Sequence, residues 1–285
     1  MVLESLTNPL KAEKRPAQMI LLGALYTSVA FLLSLWIFLE YSSLIAVFFI
    51  VFACVPIVYN TIRLEEKKDE RETNEIVLLK EHSKALMVFM FLFLGITITV
   101  AIWYIFLPTE TVSVLFSTQT DTFHSINGNV VGMATFQDQM GQFSKIFLNN
   151  FKVMLFCLLF SFIYGIGAIF ILTWNATVIG VAIGMTIRKA LAGVAASSGL
   201  VKVAAYFQIF TYGFLRYAIH GVFEILAYFV AGLAGGIISI AIIRHNFGTN
   251  KFERILWDAT DLILASLVIL VLAGVLEVWV TPLIF

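Results

Sequence analysis

The sequence predicts an all-α fold, namely a polytopic membrane helix bundle of about seven transmembrane helices with one broken or re-entrant segment. Two observations carry this prediction. Of the 285 residues, 60% are hydrophobic and only 13% are charged, whereas soluble chains carry about a quarter charged residues. The apolar residues also form separate runs of about 20 residues, the length that crosses a bilayer as a helix. Formal net charge is zero, and no basic motif indicates a nucleic-acid partner.

Six apolar segments have full spanning length, and a seventh is interrupted by charge. The six are 18–39, 43–62, 85–107, 149–174, 217–243 and 261–281. The seventh, 176–201, contains Arg188-Lys189. If it crosses, the chain has seven spans and its termini lie on opposite sides of the membrane. If it is re-entrant, there are six full spans and both termini lie on one side. The sequence leaves both arrangements open.

The connecting segments indicate an orientation. The N-terminal tail and the charged connector 63–84 hold nine of the eighteen Lys and Arg residues. This predicts that both lie on the cytoplasmic side of the cell membrane. The first apolar run is expected to be a signal anchor that is retained and not cleaved. Residues 108–144 contain no Lys or Arg and are expected to form an external, partly packed cap. We expect residues 1–84 to form an accessory hairpin with a solvated, helical connector, and 85–285 to form the membrane core.

Three ionisable side chains stand four residues apart at the head of the sixth apolar run. In a helix, which turns about 100° per residue, these three side chains share one face with three small residues. The residues of this face are Arg216, His220, Glu224, Ala227, Ala231 and Gly235. Small residues let a second helix approach closely, so we expect this face to be buried in protein. Burying charge in a membrane costs about 2.5–3.5 kcal/mol. His220 and Glu224 are therefore expected to be either a structural lock or a proton or substrate pathway, while Arg216 reaches the interface.

The region around Asn175 is expected to contain the broken helix. Asn175 stands between two apolar segments without an obvious loop, and a broken helix is tolerated at membrane depth only inside protein or along a cavity. Arg188-Lys189 is either an interfacial anchor or a counter-charge for Glu224. Further small residues are expected at close helix contacts: Gly165, Gly167, Gly180, Gly184, Gly221, Ala231 and Gly235.

Motifs for catalysis are missing from the sequence. It has no H-E-x-x-H, no glycine-rich phosphate loop and no acidic metal cluster. Ser198, with His220 later in the chain, is a weak candidate for an intramembrane nucleophile. Cys54 and Cys157 lie within apolar runs and are expected to be buried, inert thiols. We therefore expect no enzyme activity, no cofactor and no metal.

Several short stretches together resemble the stage II sporulation protein M family over about residues 85–285. They are Phe143-Ser-Lys-Ile-Phe-Leu-Asn149-Asn150-Phe, Tyr164-Gly165-Ile-Gly167, Trp174-Asn175, His220-Gly221-Val-Phe-Glu224 and Ala231-Gly232-Leu-Ala-Gly235. The chain departs from the family at Asn175-Ala176, where the usual pattern is Asn-Gly. The resemblance implies a five-span core with an internal amino-terminal side, to which this chain adds two spans, and a non-enzymatic role.

Two functions remain open at this stage. In the first, the protein organises or recruits membrane or envelope protein partners for remodelling. In the second, it is a small transporter or proton-coupled permease that uses the buried pair His220 and Glu224. Both place the chain in the lipid bilayer, and both are compatible with a homo-oligomer.

Overall fold

A computed structural model describes residues 8–71, 75–127, 136–164, 166–194, 199–243 and 249–284, and these residues are almost entirely helical. In chain order the helices are α1 (Pro9–Lys14), α2 (Gln18–Ile37), α3 (Ser42–Arg71), α4 (Glu75–Phe106), α5 (Thr109–Leu115), α6 (Ser117–Asn127), α7 (Phe136–Tyr164), α8 (Ala168–Gly193), α9 (Gly199–Ile243), α10 (Asn250–Val275) and α11 (Thr281–Ile284). A 3-10 turn, Leu39–Tyr41, joins α2 to α3, and a π-helical turn, Leu276–Val280, joins α10 to α11.

Seven helical stretches are long and apolar enough to cross a membrane. They are Gln18–Ile37, Leu39–Lys68, Lys80–Phe106, Phe136–Tyr164, Ala168–Gly193, Val203–Ile243 and Phe252–Ile284. The predicted all-α, polytopic bundle is therefore confirmed, together with its count of seven.

The expected break at Asn175 is wrong. α7 ends at Tyr164, and α8 runs without interruption from Ala168 to Gly193. Its 26 residues rise about 39 Å, more than the roughly 30 Å of a bilayer core, so α8 is a full span and not a re-entrant half-helix. The Asn175 amide donates to the Ile171 carbonyl of its own helix at 2.8 Å, so this polar side chain needs no loop to satisfy it.

The chain turns instead between Tyr164 and Ala168. The Ala168 amide donates to the Ser161 hydroxyl at 3.3 Å, which supplies an acceptor for one N–H at the start of α8. A Cβ at Gly167 would collide with the Phe160 carbonyl, so the turn requires glycine there. Gly165, the other glycine expected at a close contact here, lies outside the described residues.

One core holds the helices together. α9 is the central helix of this core. In an apolar stretch of 18 residues, 83% of α9 is buried, against 17% of α7. Buried side chains on both sides of residue 84, such as Tyr26, Phe31 and Cys54 before it and Phe89 and Leu233 after it, belong to the same apolar cluster. Residues 8–71 therefore have no separate core of their own.

The cap predicted at residues 108–144 is built from α5 and α6. Phe116 is 1% exposed and packs edge-on against Phe31. Gln119 accepts a hydrogen bond from the Ser43 hydroxyl at 2.7 Å, which joins α6 to the start of α3. We call this end of the bundle the capped end and the opposite end, which carries α1, the charged end.

The charged connector is helical over 63–71 and 75–84, but its expected solvation is wrong at three positions. Glu65 and Glu66 are fully buried and His82 is 3% exposed. The Glu65 carboxylate lies 2.9 Å from His82 Nδ1 and 2.7 Å from Lys68 Nζ. Lys68 also pairs with Glu13 of α1 at 2.9 Å. Burial raises the pKa of Glu13 above its usual value, and the Lys68 ammonium opposes that rise. These contacts fasten α1 onto the α3–α4 hairpin.

Candidate functional site

Glu224 is the centre of a polar cluster between α7, α9 and α10. The amide of Asn150, at the midpoint of α7, donates a hydrogen bond to the Glu224 carboxyl. On another side, Glu224 is in hydrogen-bonding contact with the carboxyl of Glu277. The cluster therefore joins α7, α9 and the turn that follows α10.

His220 lies one helical turn before Glu224 but has a different partner. Its Nδ1 atom is 3.4 Å from the Thr281 hydroxyl, and that hydroxyl donates to the Leu276 carbonyl at 3.0 Å. His220 and Glu224 were expected to act as a pair. Each instead contacts its own residue at the end of the last span, Thr281 and Glu277.

A π-helical turn positions those two residues. Leu276–Val280 follows α10 directly, and such turns insert an extra residue that rotates the side chains after it. Glu277 lies in this turn and Thr281 follows it. π-helical turns are frequent at functional sites, which makes this cluster a candidate functional site.

Small residues allow α9 to lie close against α7. Ala231 is fully buried, and a Cβ at Gly235 would collide with the Leu158 carbonyl of α7. At the α4–α8 contact, a Cβ at Gly180 would come within 2.6 Å of Val100, and one at Gly184 within 2.7 Å of Tyr104. The α7–α9 contact fixes the register of two helices that carry the cluster, whereas the α4–α8 contact lies between neighbouring helices.

Gly221 differs from the other glycines expected at helix contacts. No atom lies within 4 Å of the position that its Cβ would occupy. The expectation that Gly221 packs against a helix of this chain is therefore wrong. Arg216, the first residue of the predicted polar face, is exposed, in keeping with a side chain that leaves the cluster.

Arg188 caps the end of another helix and does not neutralise Glu224. Its guanidinium donates to the Tyr104 and Leu107 carbonyls at 3.0 Å each and to the Thr109 hydroxyl at 2.9 Å. The carbonyls at a helix C-terminus lack intrahelical partners, and a cation there is favourable. Arg188 thus joins α8 to the end of α4 at the capped end.

Replacing Arg188 by methionine is expected to destabilise the protein by about 1–2 kcal/mol, because the last carbonyls of α4 lose their cationic donor. The melting temperature of the purified protein in detergent should fall by several degrees. Lys189→Met is the matched control, since the neighbouring Lys189 is exposed and the variant removes the same charge. An equal fall in both variants would contradict the cap.

The sequence-based prediction missed Glu277 and Thr281, and it named Asn150 only within a stretch that carries the family resemblance. A signal for Glu277 was present, because it is the only charged residue between 262 and 285. An ionisable residue inside a spanning segment is a candidate functional residue. Its contact with Glu224 depends on the π-helical turn, which the sequence does not reveal.

Comparison with known proteins gives one finding. The sequence model of a family described as Stage II sporulation protein M matches residues 44–282. The match begins well before residue 85, where the resemblance noted in the sequence starts. A search of curated proteins and a search of solved structures each found no match.

Proposed function

The chain belongs to the stage II sporulation protein M family, and we propose that it is a non-enzymatic membrane protein that organises or recruits partners for membrane or envelope remodelling. The family description connects its members with sporulation. The proposal does not transfer the partners of any other family member to this chain. What the fold contributes is a rigid bundle with an exposed helix end.

The first turns of α9 are the observation that carries this proposal. α9 has 45 residues and rises about 67 Å, roughly twice the thickness of a bilayer core. Phe210 and Ile105 line the same cavity, and Ile105 is one residue from the end of α4, so we infer that earlier residues of α9 extend past that end. There Val203 is 64% exposed and Phe207 is 76% exposed. Exposed apolar side chains at the end of a bundle are typical of a surface that binds a partner.

We place the protein in the cell membrane with its N-terminus in the cytoplasm. The basic residues of α1 and the connector support this orientation. Because α1 lies at the charged end, the capped end, and with it the start of α9, would then lie outside the cytoplasm. The partner surface would therefore face the envelope.

Phe207→Ser tests the proposal, with Phe52→Ser as a matched control because Phe52 is 73% exposed on α3. Proteins cross-linked to the chain in native membranes would be purified and quantified by mass spectrometry. We expect a reproducible envelope or membrane partner whose yield falls at least fivefold in Phe207→Ser and is unchanged in Phe52→Ser. Failure to recover any reproducible partner, or equal yields from both variants, would count against the proposal.

A small transporter or proton-coupled permease is the second candidate function. The observation in its favour is the carboxyl pair Glu224 and Glu277 beside Asn150 and His220. Intramembrane carboxyl and histidine groups serve as proton relays in pumps and transporters. The transporter function requires proton movement that depends on Glu224. The partner-organising function requires only that the cluster hold the helices together.

A further inference from the structure

A continuous apolar groove runs along the side of the bundle between α4, α8 and α9. It consists of two cavities, of about 250 Å³ and 110 Å³. Ile183 and Phe214 line both cavities, so the two join end to end. We call them together the Gly221 groove, after the glycine in its wall.

The groove is long and narrow. On α4 its wall extends from Met90 to Ile105, a distance of about 22 Å along the helix axis. An extended hydrocarbon chain can follow a groove of this length.

The groove leaves open space inside the bundle at Gly221. Among the described residues, nothing outside the glycine's own helix lies within 4 Å of its Cβ position, although glycines elsewhere on α9 touch neighbouring helices. Thr97 also lines the groove and is 4% exposed, and its hydroxyl has no hydrogen-bond partner in the part of the chain that the structure describes. Nearly all the other lining side chains are aliphatic or aromatic. The chemistry of the lining therefore suits hydrocarbon.

A positive charge stands at the capped end of the groove. Ile105 and Ile187 line this end, and Arg188 follows Ile187 directly. The Arg188 guanidinium contacts carbonyls and a hydroxyl, and within the described residues no carboxylate forms an ion pair with it. Guanidinium groups bind phosphate well, and basic pockets between transmembrane helices bind lipid head groups.

We propose that the Gly221 groove is a lipid-binding site, in which one hydrocarbon chain of an anionic phospholipid lies along α4 and α9 with its phosphate at Arg188. The length of the groove accommodates an extended hydrocarbon chain, the open space at Gly221 makes room for it, and Arg188 selects a negative head group. This site is separate from the Glu224 cluster and does not depend on the partner role proposed above.

The test uses the full-length protein in vesicles that contain phosphatidylglycerol with a photoreactive diazirine in one acyl chain. After illumination, mass spectrometry maps the labelled peptides. We expect labels concentrated in peptides carrying residues 90–105 and 210–225. Gly221→Leu should reduce that labelling at least fivefold, because the leucine side chain fills the groove. Gly141→Leu is the matched control, since Gly141 also has nothing within 4 Å of its Cβ position.

Two further variants separate the head group from the chain. Arg188→Gln should reduce labelling by phosphatidylglycerol but not by a phosphatidylcholine probe with the same acyl chain. Thr97→Val keeps the shape of the wall and removes the hydroxyl, so it should leave labelling unchanged. Labels spread evenly over all lipid-facing helices, or unchanged by Gly221→Leu, would overturn the proposal. So would an oligomer that Gly221→Leu dissociates without any change in lipid labelling, because the groove would then belong to a second copy of the chain.

Discussion

Replacing Gly235 by alanine is expected to destabilise the protein by about 1–3 kcal/mol, the usual cost of overpacking a close contact. The new methyl group would collide with the Leu158 carbonyl and approach the Phe162 amide to 3.1 Å. Because these are backbone atoms, no side-chain rotation can relieve the clash, and α9 must move away from α7. The same movement would separate Glu224 from Asn150. The melting temperature of the purified protein in detergent measures the effect.

Gly141→Ala is the control for Gly235→Ala. Gly141 lies in α7 and its Cβ position is open, so the added methyl group meets nothing. Alanine favours a helix over glycine by up to about 1 kcal/mol, and this gain is present in both variants. We therefore expect Gly141→Ala to raise the melting temperature slightly while Gly235→Ala lowers it. Similar stability of the two variants would show that α7 and α9 are not held in the contact described here.

Replacing both carboxyl groups of the central cluster is expected to cost less stability than the sum of the two single replacements. Glu224→Leu leaves Asn150 and Glu277 without a partner inside the bundle, and a buried unpaired polar group costs about 1–3 kcal/mol. Glu277→Leu similarly leaves part of Glu224 unsatisfied. In the double variant only Asn150 of the three remains. The loss in the free energy of unfolding should therefore be smaller than the sum of the losses in the two single variants, by about 1–3 kcal/mol, as expected for groups in direct contact.

A titration with denaturing detergent would measure the free energies of unfolding for this cycle. Glu253→Leu provides the comparison, because Glu253 is exposed near the start of α10, far from the cluster along the same chain. Its effect should add to that of Glu224→Leu within error. If the Glu224 and Glu277 changes were also simply additive, the two carboxyl groups would not be coupled and the cluster would not be a lock.

The fold class followed from the sequence because spanning helices need about 20 apolar residues, and that requirement is visible in one dimension. The boundary between α7 and α8 was misplaced for a physical reason. A polar residue between apolar runs suggests a loop, yet Asn175 satisfies its amide on its own helix and therefore interrupts nothing. Helix continuity depends on such local hydrogen bonds, which composition does not show.

The sequence predicted the residues of the candidate site on α9 but not their partners. His220 and Glu224 stand out because charge inside an apolar run is rare, and the glycine spacing correctly suggested a tight interface beside them. Their partners come from α7 and from a π-helical turn more than 50 residues away in sequence. Pairing across such distances depends on how the helices are arranged in space. Arg188 illustrates the same limit, because its role as a cap depends on where α4 ends.

Proton movement is the most direct test of whether the Glu224 cluster holds the bundle together or carries protons. Purified protein would be reconstituted into vesicles that enclose a pH-sensitive dye, and a pH step would be applied with potassium and valinomycin to collapse the membrane potential. As a lock in a partner-organising protein, the cluster should leave the vesicles no leakier to protons than protein-free vesicles, and Glu224→Gln should change nothing. A faster proton flux with the native protein that Glu224→Gln abolishes would contradict this account and identify the cluster as a proton pathway.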